Sequence, residues 1–351
     1  MNKLKIAFIG CGRISDLHYL GYKDNLTAEL YAICDTRIDL LKKRQKEWDV
    51  PKIYTDYHDM LKNKDIDAVE ILTPQHFHTE MAIACLKAKK HVALQKPMTP
   101  TIEEAEKIVN EAQKHKDLIL RITDNYLFYP PLVFAKQLIE DGIIGNPQNI
   151  RIKMFAGNDT GGWEVPLNSW EWRIKENKAG RPRQTWDHGQ HLWSTAWYLM
   201  GEFLQVKSWI DYTEDGAIDS PAVVIWKHKG GKKLGMCEYC YSHDIEIPST
   251  YYSCDEWFEV TGPKGLIMVN TCTGELLQGP SVSVFTKDGW KYYSDIESDW
   301  ASSFVGATHN FVNSILGKEK PLLVPEDGIE ILKFSFAIQE SDKTSSEIHL
   351  D

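Results

Sequence analysis

Along the first third of the chain, short apolar runs alternate with longer amphipathic stretches. Residues 6–9, 30–34, 68–72, 92–94 and 118–122 are runs of the kind buried on both faces of a parallel sheet. Between them, 79–89 and 102–114 repeat apolar positions three and four apart, the spacing of a helix with one buried face. Strand alternating with helix implies crossover connections and a doubly wound sheet. After residue 126 the texture changes. One helix, 132–139, leads into segments rich in Val, Ile, Tyr and Trp with polar residues interleaved. Residues 150–155, 206–212, 222–228, 235–242, 257–261 and 281–285 predict strands of a mostly antiparallel sheet with one open face. Two helices close the chain, 302–316 and 328–340. The pattern divides it into 1–124, an α/β dinucleotide-binding domain, and 125–351, an α+β domain for substrate binding and oligomerisation with a large, open sheet.

A length of 351 residues suits two domains, and 42% hydrophobic with 26% charged residues suits a globular protein. The formal charge of −10 argues against a nucleic-acid partner, which requires a basic surface. No apolar run approaches the length that spans a bilayer, and the N-terminus lacks a signal-peptide pattern. The seven cysteines are odd in number and show no disulfide-framework spacing. Cys237 and Cys240, a lone CxxC, fall on opposite faces of an expected strand. These features predict a reduced, cytoplasmic protein.

The first strand runs into Gly10-Cys11-Gly12-Arg13-Ile14-Ser15 and then a helical pattern. The first glycine permits a tight turn, the second lets backbone approach a pyrophosphate, and a small third residue keeps helix and strand close. Asp35 ends the second strand, placed to bond the adenosine ribose, which favours NAD over NADP; Arg37 leaves room for a 2′-phosphate. Thr73-Pro74 ends the fourth strand, His78 lies in the following helix, and Gln95-Lys96-Pro97 ends the fifth. Strand ends on this edge of an open α/β sheet are where ligands sit.

Together these features resemble the glucose–fructose oxidoreductase / inositol dehydrogenase (Gfo/Idh/MocA) family. The matching residues are GCGRIS at 10–15, Thr73-Pro74 with His78, the AKKHVALQKP stretch at 88–97 and Asp187-His188-Gly189-Gln190-His191. The closing pattern from His309-Asn310-Phe311 through Pro325, Gly328 and Ser341 matches too. The resemblance implies a Rossmann domain, an open-faced sheet domain through which copies associate as dimers or tetramers, and no metal. It also implies hydride transfer between a nicotinamide and a carbinol of a sugar or cyclitol. By position, the catalytic lysine falls on Lys96 and the acid and histidine on Asp187 and His191. An imidazole, ordinarily titrating near 6.5, suits a base that removes a hydroxyl proton, and a lysine stabilises the developing alkoxide. The spacing of Asp187 and Gln190 also predicts a capping box for a helix over 192–200 that stops at Gly201. The family's usual Glu is replaced by Gln95, and Leu127 stands where many relatives carry Arg.

On the substrate side, Trp163, Trp170, Trp172, Trp186, Trp193 and Trp197 are half of the 12 tryptophans. Trp193 and Trp197 fit a helix core; Trp163, Trp170, Trp172 and Trp186 are candidates for a platform under a sugar or aromatic ring. Asn125 is a further substrate candidate. From Arg173 to Arg183 there are five basic residues and one acid, so Arg173, Arg181 or Arg183 is a candidate for an anionic substrate group. Asp187, His188 and His191 can be drawn as a metal set, but no fourth ligand lies at helical spacing. The reading is an NAD-dependent oxidoreductase acting on a ring secondary alcohol of a sugar, sugar derivative or cyclitol. Two alternatives remain: glycoside cleavage through transient oxidation by tightly held NAD, and a non-catalytic NAD-binding protein.

Overall fold

The computed structural model describes residues 3–158, 162–163 and 167–350; the side chains at 167–170, Trp170 among them, lie outside the described set. The chain forms two compact units, Met1–Asn125 with Ser303–Leu332, and Tyr126–Ser302 with Lys333–Asp351.

The first unit is a parallel sheet of β1 (Leu4–Ile9), β2 (Ala28–Cys34), β3 (Lys52–Tyr54), β4 (Ala68–Ile71), β5 (His91–Gln95) and β6 (Leu120–Thr123). The order is β3-β2-β1-β4-β5-β6, so the chain reverses direction across the sheet between β1 and β4. Helices α1 (Ser15–Lys23), α2 (Ile38–Trp48), α3 (Tyr57–Leu61), α4 (His78–Lys87) and α5 (Ile102–Ala112) make the crossovers. Thr101 starts α5 by accepting the Glu104 N–H, one of the donors a helix start otherwise leaves unpaired. The strand interiors are closed to solvent: Ile6, Ala7, Phe8, Val69, Val92 and Leu94 have no exposed surface.

The expected boundary at 124/125 is corrected at the far end of the chain, because residues 303–332 return to the first unit. In the second unit, α6 (Pro130–Glu140), β7 (Asn149–Ala156), α7 (Leu167–Lys178) and α8 (Gly189–Met200) come first. Strands β8 (Phe203–Ile210), β9 (Ala222–His228), β10 (Leu234–Tyr241), β11 (Cys254–Gly262), β12 (Gly265–Val269), β13 (Val282–Thr286) and β14 (Gly289–Tyr293) follow. Later in the chain come α9 (Ser302–Ile315), which lies in the segment returned to the first unit, then α10 (Pro325–Thr344), which begins in that segment, and β15 (Ile348–His349). Helix α9 buries Phe311 and Val312 in the core cluster around Phe8 and Tyr22. Gly21 of α1 admits it, since a Cβ there would lie 2.3 Å from the Thr308 hydroxyl. The Ile122 N–H donates to Leu323 O at 2.8 Å, closing the edge at β6.

The nine-stranded sheet of the second unit runs β14-β13-β12-β11-β7-β10-β9-β8-β15, antiparallel except for β7–β10. Its register sorts the side chains by period two. Ile150, Ile152, Val224, Trp226, Cys237, Tyr239 and Phe258 are buried, whereas Trp209, Ile225 and Leu234 are exposed, as are Phe285, Trp290 and Tyr292 on β13 and β14. Cys237 and Cys240 differ in burial as expected for opposite faces, and all seven cysteines are unbridged. Among the described residues no helix is long and apolar enough to cross a membrane.

A buried histidine makes the second unit acid-labile. Trp226 Nε1 donates to His228 Nε2 at 2.7 Å, so His228 Nδ1–H donates to Gly201 O at 2.8 Å and the ring is neutral. Burial pushes His228 down to about 4. An unfolded histidine titrates near 6.5. The site therefore contributes stability that is complete above pH ~6.5 and lost as pH falls through about 4, on the order of 3 kcal/mol. Denaturant unfolding from pH 7 to 4 is expected to show this steep decline. His228→Gln, which keeps an acceptor for Trp226 and a donor for Gly201, is expected to flatten it; an unchanged slope would refute the assignment.

Candidate functional site

In the first unit the expected cofactor residues gather at the carboxyl edge of the sheet, beside the β1/β4 switch point where ligands of open α/β sheets sit. Gly10 follows β1 at φ +97°, and a Cβ on it would lie 2.7 Å from Leu72 O, so this turn requires glycine. A Cβ on Gly12 would meet nothing within 4 Å; the backbone there faces open space, the cradle a pyrophosphate needs. Arg13 and Ile14 lead into α1, with Arg13 3.8 Å from Asp16. Thr73 and Pro74 follow β4, and a Cβ on Gly10 would also lie 3.2 Å from the Thr73 methyl.

Asp35, after β2, accepts the Cys11 N–H at 2.9 Å and is gripped by Arg37 through the backbone N–H, Nε and Nη2. Burial raises the Asp35 pKa, but the Arg37 fork and the Cys11 N–H more than offset it and hold the carboxyl below its usual range. Four donors saturate the acceptor sites of one carboxylate. A ribose diol therefore has to displace the Arg37 side chain, which is half exposed.

Lys96 leaves the same edge after β5. Its backbone N–H donates to Gln95 Oε1 at 2.8 Å, while Gln95 Nε2 lies 3.1 Å from His18 Nε2. A carboxamide nitrogen only donates, so His18 Nε2 accepts and its Nδ1–H donates to Glu70 Oε2 at 2.6 Å. Tyr22 donates to the other Glu70 oxygen. The fully buried Arg121 supplies nearby positive charge; burial pushes it down to about 10 while Glu70 pulls it back. Sequence reasoning missed this network. Its signal is a charged residue within each of two strands buried on both faces, Glu70 in β4 and Arg121 in β6. His78 is corrected from cofactor contact to strut. It has no exposed surface, and its ring nitrogens face Thr73 O at 2.8 Å, Pro97 O at 3.0 Å and Met98 O at 3.1 Å. Asn125 is corrected likewise: it is buried and donates to Ser303 Oγ at 2.8 Å, tying the end of β6 to α9.

In the second unit, Asp187 sits on a wide π turn, Arg183–His188, that runs directly into α8, whose first turn carries His191. The expected capping box is absent: His188 occupies the position before α8 in helical geometry, without a side-chain cap. The unpaired donors lie earlier, at the head of the π turn. The buried Asp219 takes them, accepting Gln184 N–H at 2.7 Å, Thr185 N–H at 2.6 Å and Thr185 Oγ1 at 2.7 Å. Burial raises the Asp219 pKa and these hydrogen bonds partly lower it. Gly189 is required because a Cβ would lie 2.7 Å from Trp193 Nε1. Helix α8 ends at Gly201, φ +96°, as expected. The His191 ring stacks on Tyr126 at 4.2 Å and 12°. Asp187 is 3.4 Å from Arg173 Nε, so Arg173 faces an internal carboxylate. Arg181 is likewise held, by Glu176 at 2.6 Å.

His188 meets Glu256 Oε1 at 2.8 Å rather than forming a metal set with Asp187 and His191. Cys254 completes a group whose ligand atoms lie within 4.8 Å of one another. Burial raises Glu256, yet the His188 charge and the Thr273 N–H bring its carboxyl below the usual range. The Cys254 thiol is pushed well up by burial and by Glu256. These directions describe a carboxylate facing the His188 imidazole, beside a protonated thiol. The platform expectation is corrected for Trp186, which has no exposed surface and packs edge-on against Phe336. Trp163 and Trp172 are half-buried, the latter under the Arg173 guanidinium at 4.7 Å.

Residues 4–122 match the family described as an oxidoreductase family with an NAD-binding Rossmann fold, and 136–350 match its C-terminal alpha/beta domain. The chain belongs to the GFO/IDH/MocA oxidoreductase family. A myo-inositol 2-dehydrogenase of Thermotoga maritima is 27% identical over 99% of both chains. A levoglucosan dehydrogenase of Pseudarthrobacter phenanthrenivorans is 30% identical over 59% of this chain and 54% of that one. The crystal structure of a probable dehydrogenase from Thermotoga maritima superposes with a TM-score of 0.80 at 26% identity, covering 99% of this chain and 98% of that chain. Glycines 10 and 12, Asp35, Lys96, Asp187 and His191 thus stand on a GFO/IDH/MocA scaffold.

Two outcomes follow from this geometry. In fluorescence titrations, Arg37→Ala is expected to bind NADH as well or up to about fivefold more tightly, because an exposed ion pair that competes for Asp35 is worth only 0–1 kcal/mol. NADPH binding is expected to weaken about tenfold as the guanidinium fork is lost; equal weakening of both would overturn the competition. Asp219→Asn turns an acceptor into a donor facing N–H groups. Unfolding experiments are expected to show a loss of at least about 2 kcal/mol. A variant as stable as the parent would show that Asp219 does not set the turn.

Proposed function

We propose that the chain uses NAD to oxidise a ring secondary alcohol of a sugar, sugar derivative or cyclitol. The observation that carries this reading is Lys96, which leaves the sheet at the same edge as the glycine turn and Asp35. The relatives named for inositol and levoglucosan support the substrate class. Gly10, Gly12, Arg13, Ile14, Asp35, Thr73 and Pro74 would hold the dinucleotide, with Arg37 displaced from Asp35. A bound nicotinamide would supply the acceptor for the carbinol hydrogen and both electrons of its C–H bond, turning the carbinol into a ketone. His191 takes the hydroxyl proton, its ring held in place by Tyr126. Asp187 supplies negative charge toward the resulting imidazolium and is paired with Arg173 at 3.4 Å. Lys96 is the first unit's candidate donor for stabilising alkoxide character. Gln95 orients Lys96 through its backbone N–H.

The exposed Trp209, Ile225 and Leu234, with Phe285, Trp290 and Tyr292, support association of copies through the nine-stranded sheet, as a dimer or tetramer. The unbridged thiols support a reducing, cytoplasmic setting.

The test combines purified protein and NAD with a panel of cyclitols, free sugars, sugar acids and glycosides. Reduced cofactor and released aglycone are followed together. Stoichiometric reduction without aglycone is expected, with His191→Asn lowering kcat by about 100-fold or more and leaving NADH affinity unchanged. Aglycone release with no net reduction would replace this reading with transient oxidation and elimination.

A further inference from the structure

The His191–Tyr126 stack is the inner end of a longer series of rings within the second unit. Tyr126 meets Trp300 edge-on at 6.3 Å. Trp300 meets Tyr251 at 5.2 Å and Tyr252 at 5.8 Å. Both tyrosines meet Trp163, at 5.3 and 6.1 Å. Burial falls along the series: Tyr126 is 1% and Trp300 4% exposed, whereas Tyr251, Tyr252 and Trp163 are half-buried and keep ring area open to solvent.

The outer rings are fixed by backbone. Trp163 N–H donates to Tyr251 O at 2.7 Å, and Gly162 bridges Tyr252 in antiparallel fashion. Gly162 adopts φ +75°, and a Cβ there would lie 2.6 Å from Tyr251 O, so the close approach depends on glycine. The Tyr251 hydroxyl donates to Asp299 at 2.8 Å, which sets the angle of that ring. Among the described residues the outer end of the series is half-buried rather than closed, and its inner end is the proposed catalytic base.

We infer that the substrate is a glycoside with an aromatic aglycone, the sugar oxidised at His191 and the aglycone resting on Trp163, Tyr251 and Tyr252. The inference rests on the carbinol oxidation proposed above and narrows its substrate. A free sugar or cyclitol has no group to place on the outer rings. An aryl group gains offset or edge-on contacts there, each contributing a factor of a few to about ten.

The experiment compares kcat/KM for methyl and phenyl glucosides, both anomers, with myo-inositol as the unsubstituted control, using NAD and the full chain. The expected wild-type preference for phenyl over methyl is about 10- to 100-fold. Trp163→Ala is expected to reduce that ratio to a few-fold and Trp163→Phe to restore most of it. Equal kcat/KM for phenyl and methyl glucosides in the wild type would overturn the inference, as would a ratio that Trp163→Ala leaves unchanged. Saturation-transfer NMR with wild-type protein separates this inference from the oxidation reading. If nothing reduces NAD, the oxidation reading fails, and phenyl protons of the glucoside that saturate with wild type but not with Trp163→Ala still support the aromatic subsite. No saturation of those protons in the wild type would overturn the subsite as well.

Discussion

A single buried carboxylate sets the geometry of the second unit's site. Asp219 receives two backbone N–H groups and one hydroxyl from the head of the 183–188 turn. Those donors would otherwise be left unpaired in a dry interior, at a cost of kilocalories each. With the head anchored, the turn can widen into π geometry and still feed α8 without a break, a form that recurs at functional sites. Asp187 thereby faces Arg173, His188 faces Glu256, and His191 lies flat on Tyr126. The outer contacts are consistent with one seat for the turn: Gln339 donates to Thr185, and Gln190 to Ser335 of α10.

Much of this was legible in the chain, for reasons that differ by region. The strands of the first sheet are buried on both faces and so read as plain apolar runs, and the glycine turn and Asp35 stand where the fold demands them. Strand β3 escaped because it is three residues at an edge, Lys-Ile-Tyr, with no apolar run to mark it. Strand β14, GWKYY, lies on an open edge and faces solvent, so it lacks the buried alternation of its neighbours. The D-x-G-x-H motif was found, but its local geometry was not. The acid that caps the turn lies 32 residues beyond Asp187 in a different segment, and no short-range pattern reports that.

Charge in the first unit shows the same limit. Gln95 reads as a lost carboxylate beside Lys96, yet the fold places the negative charge one partner away, on Glu70, reached through His18. The neutral amide fixes the tautomer of that imidazole, since it can only donate to Nε2. A glutamate at 95 would set two carboxylates on one ring and favour the imidazolium. Glu70 and Gln95 are therefore a matched pair across 25 residues of sequence, visible only once β4 and β5 lie side by side.

The return of residues 303–332 to the first unit bears on how the protein is made. Phe311 and Val312 belong to the cluster around Phe8 and Tyr22, and Leu323 closes the edge at β6. A ribosome that has finished the six parallel strands has yet to deliver these groups. At 5–20 residues per second, about 200 further residues take roughly ten to forty seconds. Through that interval the nascent sheet carries an uncovered apolar face, and nearly the whole of the second unit emerges before it is sealed. Late closure means that a premature stop anywhere between residues 126 and 332 leaves incomplete the nucleotide-binding unit that was synthesised first.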